Sequence, residues 1–376
     1  MYLFIPDFTM RVLIISLLVA VASAASLAPI YKARDPVENS YLVKIKDDQN
    51  IDQFVKKLPA LRMSVTKRYK SFNGIAITAL PEYISMLQHM PEVEYIEQDG
   101  IYKTSVEWGC DRIDQRNLPL DGAMNIYGDG SGAHVYIIDT GLRHTHQEYQ
   151  GRASYFWDFD VANGGDDCNG HGTHCGGTAA GISVGIATSA SLYSVRVLNC
   201  IGAGTTANIV AGCDAVTDGG TQPGVASMSL GGGESLAMDS AVERMIAAGY
   251  TVSIAAGNDD ALACNTSPAR VEAALTVGAT ESNDQRAPYS NFGGCVDIFA
   301  PGSDVRSSYN TDDSAYAVLS GTSMACPHVT GVAAVHLGAG TCSNNAACRN
   351  KILADATTGV VGNPGIGSPN LLLYCA

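Results

Sequence analysis

Lysine almost disappears from this chain after Lys103. The residues up to Lys103 carry 12 Lys and Arg against 11 Asp and Glu. The remainder carry 11 against 26, and Lys351 is the sole lysine among them. So acidic a segment has few amines with which to neutralise phosphates, which excludes nucleic acid and anionic membrane as partners. Cysteine is missing from the first part altogether: all eleven lie at or after Cys110. That density suits disulfides made in an oxidising compartment, and it confines them to the second part. Long apolar runs are also scarce. Val12 to Ala22 is the longest, and it is too short to span a bilayer comfortably. It follows Met10-Arg11 and ends in Ala22-Ser23-Ala24, a small-x-small cleavage pattern, so residues 1–24 read as a secretory signal peptide. No internal repeat or low-complexity tract is present.

What is there falls into two patterns. Residues 25 to about 34 look like an unstructured lead-in. From Tyr41 to about Asp99, strand, helix, strand, strand, helix and strand follow one another, the split ferredoxin-like order. The placement of this small α+β unit between signal and main domain favours a pro-segment over an independent binding module. From about residue 107, short apolar runs alternate with helical stretches and glycine-rich turns. The runs are 135–138, 192–198, 225–230, 251–256 and 275–277, with helices expected over 171–180, 207–217, 235–248 and 323–337. Buried strands alternating with helices predict an α/β domain with an open, mostly parallel sheet and helices on both faces. Sites in such sheets lie at the carboxyl ends of strands.

Four short stretches carry candidate chemistry. Asp139 follows the run Val135 to Ile138, where an aspartate either caps a turn or serves a site. His171 opens a helix within Asn169-Gly170-His171-Gly172-Thr173-His174-Cys175-Gly176-Gly177-Thr178. His171 and His174 have the spacing of metal ligands but lack a third ligand at helical spacing. Asn258 ends Ala255-Ala256-Gly257-Asn258 and can offer its amide to a cleft or form a turn. Ser323 lies in Gly321-Thr322-Ser323-Met324-Ala325-Cys326-Pro327-His328, ahead of an apolar helix. There it reads as a helix cap or as a nucleophile favoured by the positive helix end. Taken together, the order Asp, His, Ser is one of the chain orders of the serine-protease triad.

These motifs, with Val-Tyr-Ile-Ile-Asp-Thr-Gly and Ser229-Leu230-Gly231-Gly232-Gly233, closely resemble the subtilase family across nearly the whole second part. Asp111-Arg112-Ile113-Asp114-Gln115-Arg116 and Asn265-Thr266-Ser267-Pro268-Ala269-Arg270 narrow the resemblance to the proteinase K-like branch, nearest to aqualysin-type secreted proteases. The resemblance implies a secreted, monomeric serine endopeptidase acting on proteins and peptides without a catalytic cofactor or a membrane partner. It implies Ser323 as nucleophile, His171 as general base and Asp139 as its orienting partner. Asn258 and the backbone N–H of Ser323 would form the oxyanion hole. Ser229, Leu230, Gly231, Gly232 and Gly233 would form one wall of the S1 pocket and Ala255, Ala256, Gly257 and Asn258 the other, and Gly202 and Gly204 would border an extended peptide. Only Glu234 is charged near these segments, so large apolar or aromatic P1 residues are expected. Residues 25–106 would be an inhibitory propeptide, folded over about 41–99 and released between Lys103 and Glu107, with the cut favoured after Val106. Residues 107–376 would be the peptidase domain. The alternative is a catalytically silent binding or regulatory protein on a subtilase scaffold that retains its propeptide.

The same resemblance pairs Cys168 with Cys200 and Cys264 with Cys295. Cys342 and Cys348 are close enough in sequence for a third bridge. Cys326 stands where the family usually has threonine, which raises the question of an accessible thiol beside the nucleophile. Structural calcium is implied at Asp111, Asp114, Gln115 and Asp121. A second site is implied at Asp297 with the backbone carbonyls of Glu272 and Ala274. Asp158, Asp160, Asp166 and Asp167 are a further acidic cluster that could take calcium.

Overall fold

The computed structural model describes residues 27–33, 36–100, 106–160 and 165–376. They belong to two compact units, which divide between Lys103 and Thr104. The expected signal peptide and the segment 101–105 at the expected processing point lie outside the described residues.

The first unit contains β1 (Ile30–Tyr31), β2 (Pro36–Ile45), α1 (Ile51–Val55), β3 (Ser64–Tyr69), β4 (Gly74–Thr78), α2 (Pro81–Gln88) and β5 (Val93–Gly100). The sheet order is β1-β5-β2-β4-β3. Alternation drives it: Tyr41, Val43 and Ile45 of β2 are buried with Ile75 and Ile77 of β4. Phe54 of α1 and Ile84 and Leu87 of α2 close the same core. Asn50 caps α1 through two backbone N–H groups, and Pro81 stands in the first turn of α2, where its missing N–H costs nothing. The expected lead-in is partly structured, because Ile30 and Tyr31 pair in parallel with Ile96 and Glu97.

The second unit contains α3 (Trp108–Ile113), β6 (His134–Asp139), β7 (Ala153–Asp158), α4 (His171–Ala180), β8 (Ser191–Arg196), α5 (Thr206–Gly219) and β9 (Gly224–Met228). Then come α6 (Leu236–Ala247), β10 (Thr251–Ala255), β11 (Leu275–Thr280), β12 (Ile298–Pro301) and the hairpin β13 (Val305–Ser308) with β14 (Tyr316–Leu319). The chain ends with α7 (Thr322–Gly338), α8 (Asn345–Asp355), β15 (Thr357–Thr358) and β16 (Leu371–Leu372). The main sheet runs β15-β16-β12-β11-β10-β9-β6-β8-β7. Every neighbouring pair in it is parallel except β15 with β16.

Both sheet faces are covered, which is why the strands read as continuous apolar runs. Side chains of α5 and α6 (Ile209, Cys213, Met238, Val242) pack with Ile138, Met228 and Ile254 on one face. On the other face α4 and α7 meet Val135, Ile137 and Val277. Helix α7 is buried nearly all round, as a helix apolar on every side must be. After β6 the chain builds β7 and β8 to one side, then crosses to place β9 on the other. The carboxyl ends of β6 and β9 therefore flank a topological switch point, where open α/β sheets place their ligands. Disulfides join Cys168 to Cys200, Cys264 to Cys295 and Cys342 to Cys348. Two of them close segments of 32 and 31 residues; in the chain-entropy account each stabilises by about 3–4 kcal/mol.

Candidate active site

Asp139 is the last residue of β6, and its Oδ1 accepts from the backbone N–H of Thr140 at 2.7 Å. The same oxygen lies 2.8 Å from Nδ1 of His171, the first residue of α4. Their approach depends on glycine: a Cβ at Gly172 would stand 2.2 Å from the Gly141 carbonyl oxygen. Helix α4 thus rests directly on the turn after β6. Asp167 holds the preceding loop, accepting from Thr140 Oγ1, Gly170 N and Thr173 N within 2.8–2.9 Å. The Asp139 side chain is 1% exposed and that of His171 27%, so the carboxylate is sealed while the imidazole reaches the cleft. Burial, the largest single effect, disfavours the imidazolium, but the Asp139 carboxylate and Cys175 together more than offset it and hold His171 well above the usual histidine range.

Ser323 is the second residue of α7. Four residues on, Pro327 has no N–H to give, so the Ser323 carbonyl loses its helical donor. Ser229, just past β9, supplies one through Oγ at 2.9 Å, and the Cys175 thiol supplies another at 3.4 Å. Cys175 Sγ also lies 3.9 Å from His171 Nδ1. One buried thiol therefore spans His171 and the Ser323 segment. The Ser323 hydroxyl donates to the Ser229 carbonyl at 3.2 Å.

Asn258 follows β10. Its Oδ1 accepts from the Thr322 N–H at 2.8 Å and the Thr322 hydroxyl at 2.9 Å, while that hydroxyl accepts from Gly257 N at 3.1 Å. With the carbonyl end held, the amide Nδ2 is left to donate into the cleft. Asn258 Nδ2 and Ser323 N each lie 3.6 Å from where a Cβ on Gly321 would stand, so two N–H donors converge beside the nucleophile. A positioning residue absent from the sequence motifs is Asn291. Its Nδ2 donates to the Ala256 carbonyl at 2.9 Å, and its Oδ1 accepts from Asp259 N and Ala261 N at 3.0 Å. Gly257 has φ +102°, and a Cβ there would come within 2.4 Å of Asn291 Nδ2.

Two hollows share the segment Ser229 to Gly233. One, of about 450 Å³, is lined by that segment with Ala255, Gly257, Asn258, Asp259, Thr266, Thr322 and Ser323. The other, of about 510 Å³, runs past His171 along Gly202 and Gly204, with Leu198, Ile209 and Met238 beneath. Of the expected wall Ala255 to Asn258, Ala255, Gly257 and Asn258 line the first hollow, whereas Ala256 is fully buried, its N–H bonded to the Val277 carbonyl and its own carbonyl to Asn291. Glu234, expected at the rim, pairs with Arg270 at 2.8 Å, whereas the exposed Asp259 lines the first hollow.

His174 Nε2 donates to the Val305 carbonyl at 3.0 Å and is buried, with its pKa lowered to about 4 by desolvation, so it serves packing. Cys326 is fully buried between Ser227 and Ser253, each 3.6 Å away, and burial pushes its thiol up to about 11. It is not an accessible thiol beside the nucleophile.

The implied calcium positions differ among themselves. Asp111 and Asp114 are raised chiefly by burial; backbone N–H bonds oppose this, and neighbouring carboxylates that include Asp121 add to it. Asp111 Oδ1 is buried without a donor. Gln115 braces the loop, donating to Asn117 O and Pro119 O and accepting from Asp121 N at 3.2 Å, and its carbonyl keeps a second lone pair. The unsatisfied Asp111 oxygen, with the Asp114 carboxylate and the Gln115 carbonyl beside it, is the donor chemistry that fits a calcium ion. The second position does not fit. Arg349 binds Asp297 Oδ1 through Nη2 and the Ala274 carbonyl through Nε at 3.2 Å, so a guanidinium engages the Asp297 and Ala274 oxygens expected to hold the metal beside Glu272. The third cluster does not fit either: Asp158 is paired with buried Arg196 at 3.2 Å, Asp166 with His144 at 3.1 Å, and Asp167 is saturated by N–H and O–H donors.

Comparison with known proteins points the same way. The model of the peptidase S8 family, described as "Subtilase family", matches residues 130–367. An extracellular serine proteinase of Thermus sp. is 46% identical over 310 residues, 81% of this chain and 76% of the relative. An alkaline serine protease of Corniculantispora psalliotae is 38% identical over 392 residues, 97% of this chain and 99% of the relative. A solved cold adapted subtilisin-like serine proteinase aligns with a TM-score of 0.70 and 47% identity, covering 73% of this chain and 99% of that one. The chain belongs to the subtilase family of serine proteases.

Proposed function

We propose that this secreted serine endopeptidase cleaves peptide bonds with Ser323 as nucleophile, His171 as general base and Asp139 as its partner. The observation that carries the assignment is the 2.8 Å bond from a sealed Asp139 carboxylate to Nδ1 of a cleft-facing His171. That bond fixes the proton on Nδ1 and leaves Nε2 as the basic nitrogen. Ser323 Oγ turns from the Ser229 carbonyl toward Nε2, loses its proton there and attacks the scissile carbonyl. The developing oxyanion is met by Asn258 Nδ2 and Ser323 N–H, both held before substrate arrives. His171 then returns the proton to the leaving amine, and water repeats the cycle on the acyl-enzyme.

The hollow walled by Ser229 to Gly233 and Ala255 receives the P1 side chain, and its glycines, Leu230 and Ala255 leave room and apolar surface for large apolar or aromatic groups. The strip at Gly202 to Gly204 borders the extended peptide, which is read through its backbone. Residues 25–106 act as an inhibitory propeptide that the enzyme removes itself, leaving a monomeric peptidase of residues 107–376. Calcium, where Asp111, Asp114, Gln115 and Asp121 hold it, neutralises clustered carboxylates and ties down the mature start. Expression of the full chain beside Ser323→Ala tests this. The wild type loses about 80 residues beyond its signal and hydrolyses casein, with Glu107 as the new first residue; the variant stays long. A full-length, inert wild type after added calcium sinks the proposal.

A further inference from the structure

Helix α3 carries two residues that proteolysis does not use, Cys110 and, at its N-cap, Glu107. Both are buried, and they face His328 of α7, which is fully buried too. His328 Nδ1 lies 2.8 Å from the Met324 carbonyl. A carbonyl only accepts, so Nδ1 carries the hydrogen and Nε2 is a bare lone pair. That Nε2 is buried and has no hydrogen-bond partner. It points at the start of α3: a Cβ on Gly109 would stand 2.3 Å from His328 Nε2 and 2.9 Å from Glu107 Oε2. Glycine is what lets the ring and the carboxylate approach. Ligand atoms of Glu107, Cys110 and His328 all lie within 4.8 Å of one another.

We propose that Glu107, Cys110 and His328 form a buried site for a borderline-soft divalent cation, zinc above all. Thiolate, imidazole nitrogen and carboxylate are the donors zinc takes, and a lone pair turned inward without a proton donor suits a metal better than a hydrogen bond. Binding releases the Cys110 proton to solvent, and a dication with one carboxylate and one thiolate makes a neutral cluster, which burial tolerates. The remaining contacts of the set are compatible: Glu107 accepts from Gly109 N at 2.7 Å and Arg306 N at 3.3 Å, and the Cys110 thiol donates to Val184 O at 3.4 Å. The site would pin α3, the start of the second unit's helical order, to the helix that bears Ser323.

Cobalt(II) is the probe, added to the full chain and also supplied during refolding. The protein carries Ser323→Ala to prevent self-digestion and Cys175→Ser, because Asp139, His171 and Cys175 form the other His, Cys and carboxylate cluster among the described residues. One cobalt per chain with a sulfur-to-cobalt charge-transfer band is expected, displaced by zinc and accompanied by a raised Tm. The band is lost with Cys110→Ser, whose folding is checked by circular dichroism. Should that variant not fold, Glu107→Gln keeps the thiol and is expected to retain a band at weakened cobalt affinity. No band in the parent, a band that survives Cys110→Ser, or an affinity unchanged by Glu107→Gln overturns the site. An empty parent would mean that neutral Glu107 and His328 simply share a proton.

Discussion

Ser229 and Ser323 hold one another in both directions. Ser229 Oγ donates to the Ser323 carbonyl at 2.9 Å, and Ser323 Oγ donates to the Ser229 carbonyl at 3.2 Å. The first bond replaces the helical donor that Pro327 lacks, so it sets where the nucleophile's backbone sits. The second is a resting bond that the hydroxyl must leave in order to reach His171. Ser229→Ala removes only the first. A lost hydrogen bond is worth about 1 kcal/mol, so kcat/KM falls roughly fivefold, with a loss of about 1–3 kcal/mol of stability for the carbonyl left short of a donor. Peptide-anilide kinetics and urea unfolding check both. An unchanged stability would mean that the Cys175 thiol alone satisfies the carbonyl.

Asn258→Ala removes one oxyanion donor and leaves the P1 hollow open. Its donor acts on charge that appears in the transition state, so kcat falls about 10²–10³-fold with KM little changed. Asn291→Ala acts one step back. It frees the Ala256 carbonyl and the Asp259 and Ala261 N–H groups, so it loosens the Asn258 loop. A smaller loss in kcat with a clear loss of Tm is expected, and Asn291→Asp, which keeps the acceptor but loses the donor to Ala256, should recover part of it. Equal kcat losses for Asn258→Ala and Asn291→Ala would contradict this ranking.

The pH profile follows from His171. It must be neutral to accept the serine proton, while Asp139 favours its charged form and raises its pKa above the ordinary 6.5. Activity therefore rises through a limb on the alkaline side of 6.5. Asp139→Asn withdraws the charge, moves that limb to lower pH and costs about 10⁴ in kcat through loss of the correct tautomer. The linked stability has the opposite course: it is fully present below the unfolded pKa and fades as pH rises through the folded one. The limb of kcat/KM, compared between wild type and Asp139→Asn, decides the matter.

Much of this arrangement is legible from the chain alone because its signals are local. Strand runs ending at Asp139 and Ala255, glycines around His171 and a helix opening at Ser323 each announce themselves within ten residues. Even the orphaned Ser323 carbonyl follows from a proline four residues on. Its partner does not, since Ser229 is 94 residues away in sequence. Asn291 reads as a loop residue because its role exists only once Gly257 lies against it. The short strands β12 to β14 hide among Pro, Gly and Ser, and α8 is masked by a polar composition that carries no clear apolar stripe. The resemblance alone makes Asp297 a calcium ligand, and Arg349, which sits on α8, binds it here.

Asp259 changes the expected specificity. It lines the P1 hollow but is exposed, so its field is screened and worth at most about 1 kcal/mol to a charged partner. Substrates with P1 lysine or arginine should therefore be cleaved, more slowly than those with phenylalanine. Asp259→Asn is expected to lower kcat/KM for P1 lysine about threefold while leaving P1 phenylalanine unchanged, and added salt should mimic the variant. Identical P1 preferences in the two proteins would place the carboxylate out of reach of the side chain.

Arg349 separates the calcium positions experimentally. Its guanidinium is a tethered cation that answers the Asp297 charge, whereas the proposed site at Asp111 would take a free ion. Calcium titration of the Ser323→Ala protein is therefore expected to raise Tm through one site. A ligand in 100-fold excess over its Kd adds about 2.7 kcal/mol. Asp114→Asn should abolish that rise, because it removes one of the carboxylates that would hold the ion. Arg349→Ala should lower Tm without calcium by stranding a partly buried Asp297, and calcium should then restore part of the loss by occupying the vacated oxygens. The decisive comparison is the double variant Asp114→Asn, Arg349→Ala: it regains a calcium response that Asp114→Asn lacks. A calcium response that persists in Asp114→Asn alone would mean that the ion displaces the guanidinium and that Asp297 binds it after all.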